Sequence, residues 1–566
     1  MPESTVAGAP PDPALLRGVL PGAVLTDPDD DPARRLAAVL ERGGGTLDGM
    51  LRHAARTAPG RAAIKSGLRT VSFAALDAAA DNFAAALLEL LPQRPHGATA
   101  LGGASMVGVA AALDPAFAVA YYGTVRAGHV CAVVNPLQGA DELHWVLESA
   151  DVRVLVAVAD MADRLRAIRL DLPNLRHVVY LDRPGEGGLF TLAGMARRHR
   201  PAPAPEHRSD PDAVAVAQFT SGTTGRPKAV LLSHRNAVYN AAQVALAHGL
   251  GATTVGLNHL PTYHPMHLNS AVCAGSTQVL CPAGDPAEAV ALARTTGATH
   301  FYSLPVRLAR MAGDPRLPGW QLPTTRAVLS GGSALSPSAA ARLSTALGVP
   351  VIQGYGLAET SPLTHCDRID APQPGSVGRP VPGTECRVVD LDTRQPLPPG
   401  QPGEVQVSGP QVMAGYLAAD GSVHRPVDAG GWFDTGDVGY VDTEGTLFLV
   451  DRLKDVFKCD NWLVSPVEVE RTVARHPAVV DCMVVDLPHA ERGAVAYALV
   501  VTDDEDVTGD EVMAFVNGQL PDYQHLHGIE LVREIPRSAT GKVRRRDIRT
   551  QLHGRLLAAP THQNTV

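Results

Sequence analysis

The chain has 566 residues, of which 45% are hydrophobic and 19% are charged, and it carries a formal net charge of −9. This length exceeds that of one ordinary domain and the composition is typical of globular proteins, so we expect about two to four folding units. The negative charge and the low aromatic content, 4%, argue against a nucleic-acid-binding protein, because such proteins need basic surfaces and stacking rings.

Residues 1–45 are rich in proline and aspartate and are predicted to form a loosely ordered N-terminal leader. This stretch lacks the basic start and apolar segment of a signal peptide, and the most apolar run, Ala116–Val134, is interrupted by Arg126. We therefore expect no membrane-spanning helix. The seven cysteines are scattered without a CxxC pair, which predicts free thiols, a reducing cytoplasmic location and no zinc site.

From about residue 46, short apolar runs alternate with helical patterns. Val152–Val158 and His177–Tyr180 have the composition of strands, whereas Asp141–Ser149 and Ser336–Leu347 have the pattern of helices. Strands that alternate with helices predict an α/β fold with largely parallel sheets.

The pattern changes in the last third of the chain, where glycine and proline become dense and short strands such as Gly403–Ser408 follow one another. Further on, Ser465 precedes a proline and Glu468, which together mark the start of a helix in a compact α+β unit. We predict an N-terminal domain over residues 46–451, made of two α/β subdomains and a β-rich subdomain, and a small, mobile α+β C-terminal domain over residues 452–566.

The segment Phe219–Val230 carries the strongest chemical signal. It follows the apolar strand Ala213–Ala217, and its glycines, hydroxyls and lysine offer several donors to an anion. The spacing of glycine and lysine differs from that of a P-loop, and the composition alone also fits a flexible surface turn. The candidate phosphate-binding residues are Thr220, Ser221, Gly222, Thr223, Thr224, Gly225 and Lys228.

The segment Gly354–Thr360 is the second candidate. Tyr355, between two glycines, is suited to stack on a purine, and Glu359 is suited to hold Mg²⁺. A glutamate at the start of a helix is also an ordinary partner of the helix dipole, so this segment alone does not decide between the two roles.

Three further segments lie closer to the C-terminus. Asp437, in Trp432–Gly439, is suited either to bind ribose hydroxyls or to stabilise a turn. The segment Asp451–Lys454 follows, and then Pro536–Val543, in which Lys542 is either a cation for a developing negative charge or a solvated lysine.

In their order and their residues, these five segments resemble the motifs of the adenylate-forming superfamily, which includes acyl- and aryl-CoA synthetases, peptide-synthetase adenylation domains and firefly luciferase. The resemblance covers roughly residues 46–550 and is closest to the acyl-CoA synthetases. It implies a ligase that uses ATP and Mg²⁺ to join a small carboxylic acid to AMP, releases pyrophosphate and passes the acyl group to a second acceptor. We expect a monomer or homodimer.

The resemblance also assigns roles to single residues. A carboxylate that attacks the α-phosphate brings two anions together, and Mg²⁺ at Glu359 with the Lys542 cation would offset their repulsion. Lys454 matches the hinge about which the C-terminal domain rotates after adenylation. The catalytic candidates are Thr220, Glu359, Lys458 and Lys542, and the remaining nucleotide-binding candidates are Gly332, Tyr355, Gly356, Asp437 and Arg452.

The acid pocket is expected at Pro261–Ser270, which resembles the corresponding segment of plant coumarate–CoA ligases. His264 matches a gating position, and His267 is either a wall residue or an acid–base group. Small residues at several pocket positions predict room for a bulky aryl or alicyclic acid. The acid-binding candidates are His264, Met266, His267, Ser270, Gly331 and Gly354, together with Ser330 and Gly332.

Two departures from the superfamily pattern bear on function. Ala358 replaces a usual threonine that touches the nucleotide phosphate, and Thr360 is the candidate to compensate. After the hinge, aryl-CoA ligases carry Lys-x-Lys-Gly-x-Gln, in which the last Lys-Gly pair shapes the pantetheine channel. Here Lys458 is retained, but Asp460 and Asn461 replace that lysine and glycine, and the final glutamine is a leucine.

We therefore hypothesise that acyl-AMP formation is intact and that CoA transfer is weak, redirected or absent. The alternative acceptors are the pantetheine of an acyl-carrier protein, a partner enzyme or an amine, and nitrite is an alternative acid for diazotisation. From another class of function, the alternative is a degenerate, non-catalytic relative that only binds a nucleotide or an acyl ligand.

Overall fold

A computed structural model of the chain describes residues 36–37, 40–41, 44–92, 101–181, 210–221, 226–460, 462–504, 506–536 and 545–558. Most of the predicted leader lies outside the described residues. So do six residues of the candidate sites, namely Gly222, Thr223, Thr224, Gly225, Asn461 and Lys542.

The chain divides into two compact units. The first unit comprises Met1–Cys386 and Val407–Phe433, and the second comprises Arg387–Gln406 and Asp434–Val566. The predicted domain boundary after residue 451 and the hinge at Lys454 stay predictions.

The helices of the first unit begin where the sequence supplies caps. Asp114, Asp285 and Ser336 each accept a hydrogen bond from a backbone N–H of the first helical turn, and a proline follows each of them. The helices are α1 (Leu47–Thr57), α2 (Phe73–Leu90), α3 (Pro115–Arg126), α4 (Ala140–Ser149), α5 (Ala162–Ile168), α6 (His234–Ala247), α7 (Pro265–Ala274), α8 (Pro286–Thr296), α9 (Pro305–Gly313) and α10 (Pro337–Leu347).

The strands of the described residues form four sheets. In chain order they are β1 (Ala62–Ser66), β2 (Arg69–Ser72), β3 (Met106–Ala110), β4 (Val130–Val134), β5 (Val152–Ala157), β6 (His177–Tyr180), β7 (Val214–Ser221), β8 (Pro227–Ser233), β9 (Val255–His259), β10 (Thr277–Leu280), β11 (His300–Ser303), β12 (Ala327–Ser330), β13 (Val351–Gly356), β14 (Leu363–Cys366), β15 (Arg379–Pro380), β16 (Glu385–Val389), β17 (Gly403–Ser408), β18 (Gly415–Leu417), β19 (Val423–His424), β20 (Phe433–Val441), β21 (Leu447–Arg452), β22 (Phe457–Cys459), β23 (Trp462–Val464), β24 (Val479–His489), β25 (Gly493–Thr502) and β26 (Leu526–Leu531).

Two large sheets form the first unit. One has the strand order β19-β18-β8-β7-β4-β3-β5-β6 and the other has the order β15-β14-β13-β12-β11-β9-β10-β1-β2. Their central pairs, such as β3 with β4 and β11 with β12, are parallel, and their apolar residues form two separate buried clusters. The predicted α/β fold is confirmed, because consecutive parallel strands such as β3 and β4, or β12 and β13, are connected through a helix.

The second unit is built on a four-stranded sheet, β16-β17-β20-β21, and a sheet of β23-β22-β25-β24 in which β26 pairs with β25. Ser465 caps its first helix as predicted, since its Oγ accepts the Glu468 N–H at 3.3 Å. The helices are α11 (Pro466–Val473), α12 (Gly509–Asn517) and α13 (Arg545–Ala558). Valines of α11, α12 and the strands form the apolar core of this unit, which confirms its α+β class.

The most apolar run of the sequence is divided between two elements. Ala116–Val134 forms most of α3 and all of β4, joined by a turn. Within the described ranges, no helix is both long and apolar enough to cross a bilayer. Each of the seven cysteines carries a free thiol.

Candidate active site

The described parts of the candidate phosphate segment belong to two paired antiparallel strands. β7 continues beyond the predicted strand Ala213–Ala217, and Thr220 pairs with Lys228 across the hairpin. The strand extends because pairing with β8 satisfies the backbone polar groups of residues 218–221, which the sequence pattern had placed in a loop. Residues 222–225, which join the two strands, lie outside the described residues.

Tyr416 connects two charged groups of the first unit. β18 pairs with β8, and Tyr416 donates a hydrogen bond from its Oη to Glu359 Oε1 at 2.8 Å. The Nζ of Lys228, an exposed residue, lies 5.2 Å from the centroid of the Tyr416 ring, within the range of a cation–π contact. Burial, and then the Glu359 carboxylate, raise the pKa of Tyr416, so its hydroxyl stays a donor at neutral pH.

Glu359 fits a magnesium site that is shared with a nucleotide. It is 8% exposed, Tyr416 holds one of its carboxylate oxygens, and the Met413 N–H donates to its carbonyl oxygen at 2.8 Å. Mg²⁺ typically binds one or two carboxylates together with substrate phosphates and water. Among the described residues there is no cluster of three or more His, Cys, Asp or Glu side chains that would enclose a metal on its own. Glu359 would hold the ion, which would supply positive charge beside the phosphates.

Backbone crowding explains the glycine after Tyr355. A Cβ on Gly356 would lie 1.9 Å from the carbonyl oxygen of Pro362, so only glycine fits where β13 approaches β14. Tyr355 itself is 8% exposed, and its ring centroid lies 5.8 Å from that of His365. Its stacking on adenine stays a prediction.

The suggestion that Thr360 compensates for Ala358 is wrong. Thr360 is fully buried, its Oγ1 accepts the Leu357 N–H at 3.0 Å, and the carbonyl oxygens of Pro362, at 2.5 Å, and Leu357, at 3.1 Å, are the acceptors for its one hydroxyl proton. A hydroxyl that is bonded within its own turn is not available to a phosphate.

Two glycines of the predicted acid pocket lie side by side. A Cβ on Gly331 would meet nothing closer than the carbonyl oxygen of Gly354, at 4.0 Å. Gly332 has a φ of +94°, which other residues rarely adopt. The turn after β12 therefore presents bare backbone. Ser330, just before this turn, is buried, and its Oγ has no hydrogen-bond partner in the described part of the chain.

The first turn of α7 carries the residues predicted for the acid wall. His264 caps the helix, because its Nδ1 accepts the Met266 N–H at 3.2 Å. Met266 packs against an apolar cluster of the sheet. Ser270 is buried and donates its hydroxyl to the carbonyl oxygen of His267 at 3.4 Å, so this hydroxyl is used within the helix.

A row of buried rings, which the sequence did not indicate, lies against this wall. The ring centroids of His267 and Tyr302 are 4.6 Å apart, and Tyr302 Oη lies 3.1 Å from His248 Nδ1. Burial lowers the pKa of His248 to about 3, the pKa of His264 to about 4 and the pKa of His267 well below its ordinary value. These imidazoles are neutral at physiological pH, which favours a wall role for His267 over acid–base catalysis.

The predicted ribose ligands form an ion pair in the second unit. Asp437 and Arg452 face each other across β20 and β21, and Arg452 Nε lies 2.9 Å from Asp437 Oδ1. Asp437 is 4% exposed, and its backbone N–H donates to Thr435 Oγ1 at 3.1 Å. The pair holds the carboxylate in one orientation, and its binding of ribose stays a prediction.

The segment that departs from the CoA-ligase pattern also carries ion pairs. Lys458 Nζ lies 3.0 Å from Asp392 Oδ2 at an exposed site. Arg492 Nε donates to Asp460 Oδ2 at 2.7 Å, and Arg492 Nη2 donates to Asp522 Oδ2 at 2.6 Å. Two carboxylates thus share one guanidinium, so the Asp460–Arg492–Asp522 cluster keeps a net negative charge.

The sequence motifs gave no sign of Tyr416, Tyr302 or Arg492. Each reaches its partner through strands that are distant along the chain, as when β18 brings Tyr416 beside β8. No local spacing marks such residues. For Arg492, the sequence offered one indication. Asp460 replaces a lysine of the resembled motif, and an aspartate at such a position indicates a nearby cationic partner.

Comparison with known proteins identifies the family. The AMP-binding enzyme profile matches residues 51–417, and the AMP-binding enzyme C-terminal domain profile matches residues 468–542. The chain belongs to the AMP-binding enzyme family. It is 31% identical over 461 residues to 4-coumarate–CoA ligase 2 of Oryza sativa subsp. japonica, covering 77% of this chain and 81% of that protein.

Solved structures agree with this assignment. ATP-bound MatB from Rhodopseudomonas palustris matches with a TM-score of 0.79 at 27% identity, covering 90% of this chain and 99% of that one. The amide bond synthetase McbA from Marinactinospora thermotolerans matches with a TM-score of 0.77 at 26% identity, covering 89% and 99%. This AMP-binding enzyme is therefore an ATP-dependent ligase of the acyl-CoA synthetase type that adenylates carboxylic acids, which confirms the predicted reaction class.

Proposed function

We propose that this AMP-binding enzyme activates a bulky aryl or alicyclic acid with ATP and Mg²⁺, and that its CoA-transfer step is weak or redirected to another acceptor. The proposal of a weak CoA-transfer step rests on the Asp460–Arg492–Asp522 cluster. This cluster has a net negative charge at a position where the resembled aryl-CoA ligases have a lysine. A monomeric or homodimeric state, a cytoplasmic location and an acyl-carrier-protein partner stay predictions.

The adenylation step needs positive charge where two anions meet. Lys228 pairs with Thr220 beside the residues that connect β7 and β8, and Glu359 would hold Mg²⁺ beside the phosphates. Lys542 matches the lysine that lies between the carboxylate and the α-phosphate in the resembled enzymes. Asp437 would accept the ribose hydroxyls while Arg452 holds its carboxylate in place. The attacking carboxylate is ionised at neutral pH and therefore requires no general base.

Small residues and an uncharged wall support a bulky acid. A Cβ on Gly331 or Gly332 would meet no atom closer than 3.8 Å, so the turn after β12 leaves open space, whereas a Cβ on Gly354 would lie 3.0 Å from Leu363 Cδ1. The histidines of the wall are neutral, so they impose no charge on the body of the substrate. The similarity to 4-coumarate–CoA ligase 2 points in the same direction.

The changed thiol-accepting segment supports a weak CoA step. CoA is polyanionic, and a net negative cluster disfavours its approach at exposed sites, where a lysine would attract it. Asp460 has a φ of +50°, a conformation that aspartate and asparagine tolerate better than lysine does. Both the charge and the backbone conformation at Asp460 therefore differ from those expected of the lysine that aryl-CoA ligases have at this position.

Parallel assays of pyrophosphate and acyl-CoA, over a panel of aryl and alicyclic acids, test this step. We expect pyrophosphate release in excess of thioester formation by about tenfold or more, because a barrier difference of 1.4 kcal/mol suffices for that ratio. Asp460→Lys should raise the ratio of thioester to pyrophosphate, and Asp460→Asn, which removes a charge without adding a cation, should raise it less. Rapid thioester formation by the unmodified enzyme would contradict the proposal.

Lys542→Ala separates an adenylating enzyme from a degenerate binder. The variant should lose about 10²- to 10³-fold in pyrophosphate release, as expected when one group that stabilises transition-state charge is removed. ATP binding, followed by calorimetry, should persist. If the unmodified protein binds ATP but no acid of the panel leads to pyrophosphate release, the protein is a degenerate binder.

An amine is the second candidate acceptor, because the solved structure of an amide bond synthetase matches over 89% of this chain. Mass spectrometry after addition of an amine panel to the enzyme, ATP and acid would detect an amide product. The amide should form faster with enzyme than in a mixture from which the enzyme has been removed after adenylation. Equal rates in the two mixtures would exclude enzymatic transfer to those amines.

A further inference from the structure

The strand that carries Lys228 is held at its start by a residue from a distant part of the chain. Trp145 lies in α4, and its indole Nε1–H donates a hydrogen bond to the carbonyl oxygen of Pro227 at 3.0 Å. Pro227 pairs with Ser221 in β7 and directly precedes Lys228. Because proline has no backbone N–H, its carbonyl oxygen is the polar backbone group through which it can be held. The indole therefore fixes the backbone from which the Lys228 side chain extends.

The ring of the same tryptophan holds a cation. The guanidinium carbon of Arg226, an exposed residue, lies 4.3 Å from the centroid of the Trp145 ring, which is a cation–π distance. Lys228 lies over the Tyr416 ring in the same way. Within the described ranges, neither of these two cations forms an ion pair with a carboxylate. An aromatic ring orients a cation without neutralising it, so both cations keep their charge for an anionic ligand.

The helix that carries Trp145 is itself fixed in the first unit. α4 packs on the sheet through Leu143, Val146 and Leu147, which are buried. The same apolar cluster contains Leu231 of β8, and Trp145 is half-buried beside it in the helix. Because close-packed cores allow little movement, α4 gives the indole a defined position relative to β8. Trp145 thus links the start of β8 to the core of the sheet.

We propose that Trp145 is a positioning residue for the two phosphates of ATP that leave as pyrophosphate. It acts through the backbone of Lys228 and through Arg226, which we assign as a further cation for these phosphates. This inference rests on the proposed activation of an acid with ATP. Pyrophosphate carries more negative charge than AMP, so two oriented cations favour the polyphosphate over the monophosphate. A guanidinium also presents several N–H donors that match phosphate oxygens.

Exchange of labelled pyrophosphate into ATP, with an acid that the enzyme activates, tests the role of Trp145. We expect Trp145→Leu, which removes both contacts, to raise the half-saturating concentrations of ATP and pyrophosphate by about tenfold or more. Trp145→Phe keeps a ring for Arg226 but loses the N–H donor, and it should raise them by about fivefold. The affinity for AMP, measured by calorimetry, should stay unchanged in both variants, because AMP lacks the two phosphates. A purely structural defect would weaken AMP binding as well.

The same exchange assay tests Arg226. Arg226→Gln should raise the half-saturating pyrophosphate concentration by about tenfold, as expected when a hydrogen bond between charged groups is lost. Arg226→Lys, which keeps the charge but not the planar set of donors, should raise it less. Because Trp145 orients the guanidinium, Arg226→Gln should have a smaller effect in the Trp145→Leu variant than in the unmodified enzyme. Equal effects in the two backgrounds would contradict the coupling of these two residues.

Trp320→Leu is the matched control. Trp320 also has an arginine near its ring, with the guanidinium carbon of Arg316 at 5.8 Å from the centroid, but it packs against the apolar cluster of the other large sheet. Both half-saturating concentrations should stay unchanged, and thermal unfolding shows that each variant is folded. Unchanged exchange kinetics in Trp145→Leu, or an equal loss of AMP affinity, overturns the inference while adenylation stands. No exchange by the unmodified enzyme with any acid contradicts the proposed function itself, and this inference with it.

Discussion

Single residues of the candidate site depend on partners that hold them in place. Glu359 is held by Tyr416 and Asp437 by Arg452. Glu359, Asp437 and Arg452 are site predictions, and each was made from a short, ordered motif. Tyr416 could not, because its contact with Glu359 depends on the pairing of β18 with a strand that lies far away in sequence.

Tyr416→Phe tests whether this hydroxyl positions the carboxylate of Glu359, for which we propose magnesium binding. A hydrogen bond to a charged group contributes about 1.5–3 kcal/mol, so we expect about a tenfold or larger fall in kcat/KM for ATP at limiting Mg²⁺. Saturating Mg²⁺ should restore part of the activity, and direct Mg²⁺ titration of the ATP complex should show weaker binding. Tyr497→Phe, in β25 of the second unit, is the control. A Tyr416→Phe enzyme with an unchanged Mg²⁺ dependence would contradict the positioning role.

At the scale of secondary-structure elements, most predictions matched the structure, and the differences lie at strand ends. The strand predicted at Val152–Val158 is present as β5, and Ser465 starts α11 as expected. β7 runs further than the predicted strand Ala213–Ala217. Its extra residues gain order from pairing with a neighbouring strand, and single-chain propensity does not contain that information.

Gly356→Ala tests the close approach of β13 and β14. The new Cβ would meet the Pro362 carbonyl oxygen at 1.9 Å, and backbone cannot move aside as a side chain can. We expect a loss of more than about 3 kcal/mol in the free energy of unfolding of the first unit. Gly331→Ala, whose Cβ would have 4.0 Å to its nearest neighbour, should change stability by less than about 0.5 kcal/mol. Denaturant unfolding, followed by tryptophan fluorescence, measures both. Equal stabilities would show that the hairpin adjusts freely.

At the scale of the whole molecule, buried neutral histidines make the first unit sensitive to acid. Burial lowers the pKa of His248 and of His365 to about 3, and the pKa of His259 and of His264 to about 4. In the unfolded chain the pKa of a histidine is about 6.5. Their contribution to stability is therefore complete above that pH and is lost as the pH falls towards the folded-state values, because the unfolded chain then binds more protons.

His365→Gln should reduce this acid sensitivity. His365 is fully buried, so its replacement by a neutral side chain should lower the proton uptake on unfolding by about one proton between about pH 6 and 4.5. The slope of unfolding free energy against pH measures the uptake. The matched control is the same substitution at His424, an exposed position of the same unit. An unchanged slope in His365→Gln would show that this histidine does not contribute to the linkage.

The sequence by itself determined the family and the order of the chemical groups. The fold class is confirmed, and the phosphate segment, Glu359 and Asp437 stay predictions from short motifs, because turns, caps and anion-binding donors depend on residues that are close together in the chain. Only the tertiary structure decided which groups share a partner. It committed the Thr360 hydroxyl to its own turn, gave Asp460 an arginine and left His267 Nδ1 without a partner among the described residues. Those outcomes depend on strand pairing and burial between distant segments, for which no local pattern exists.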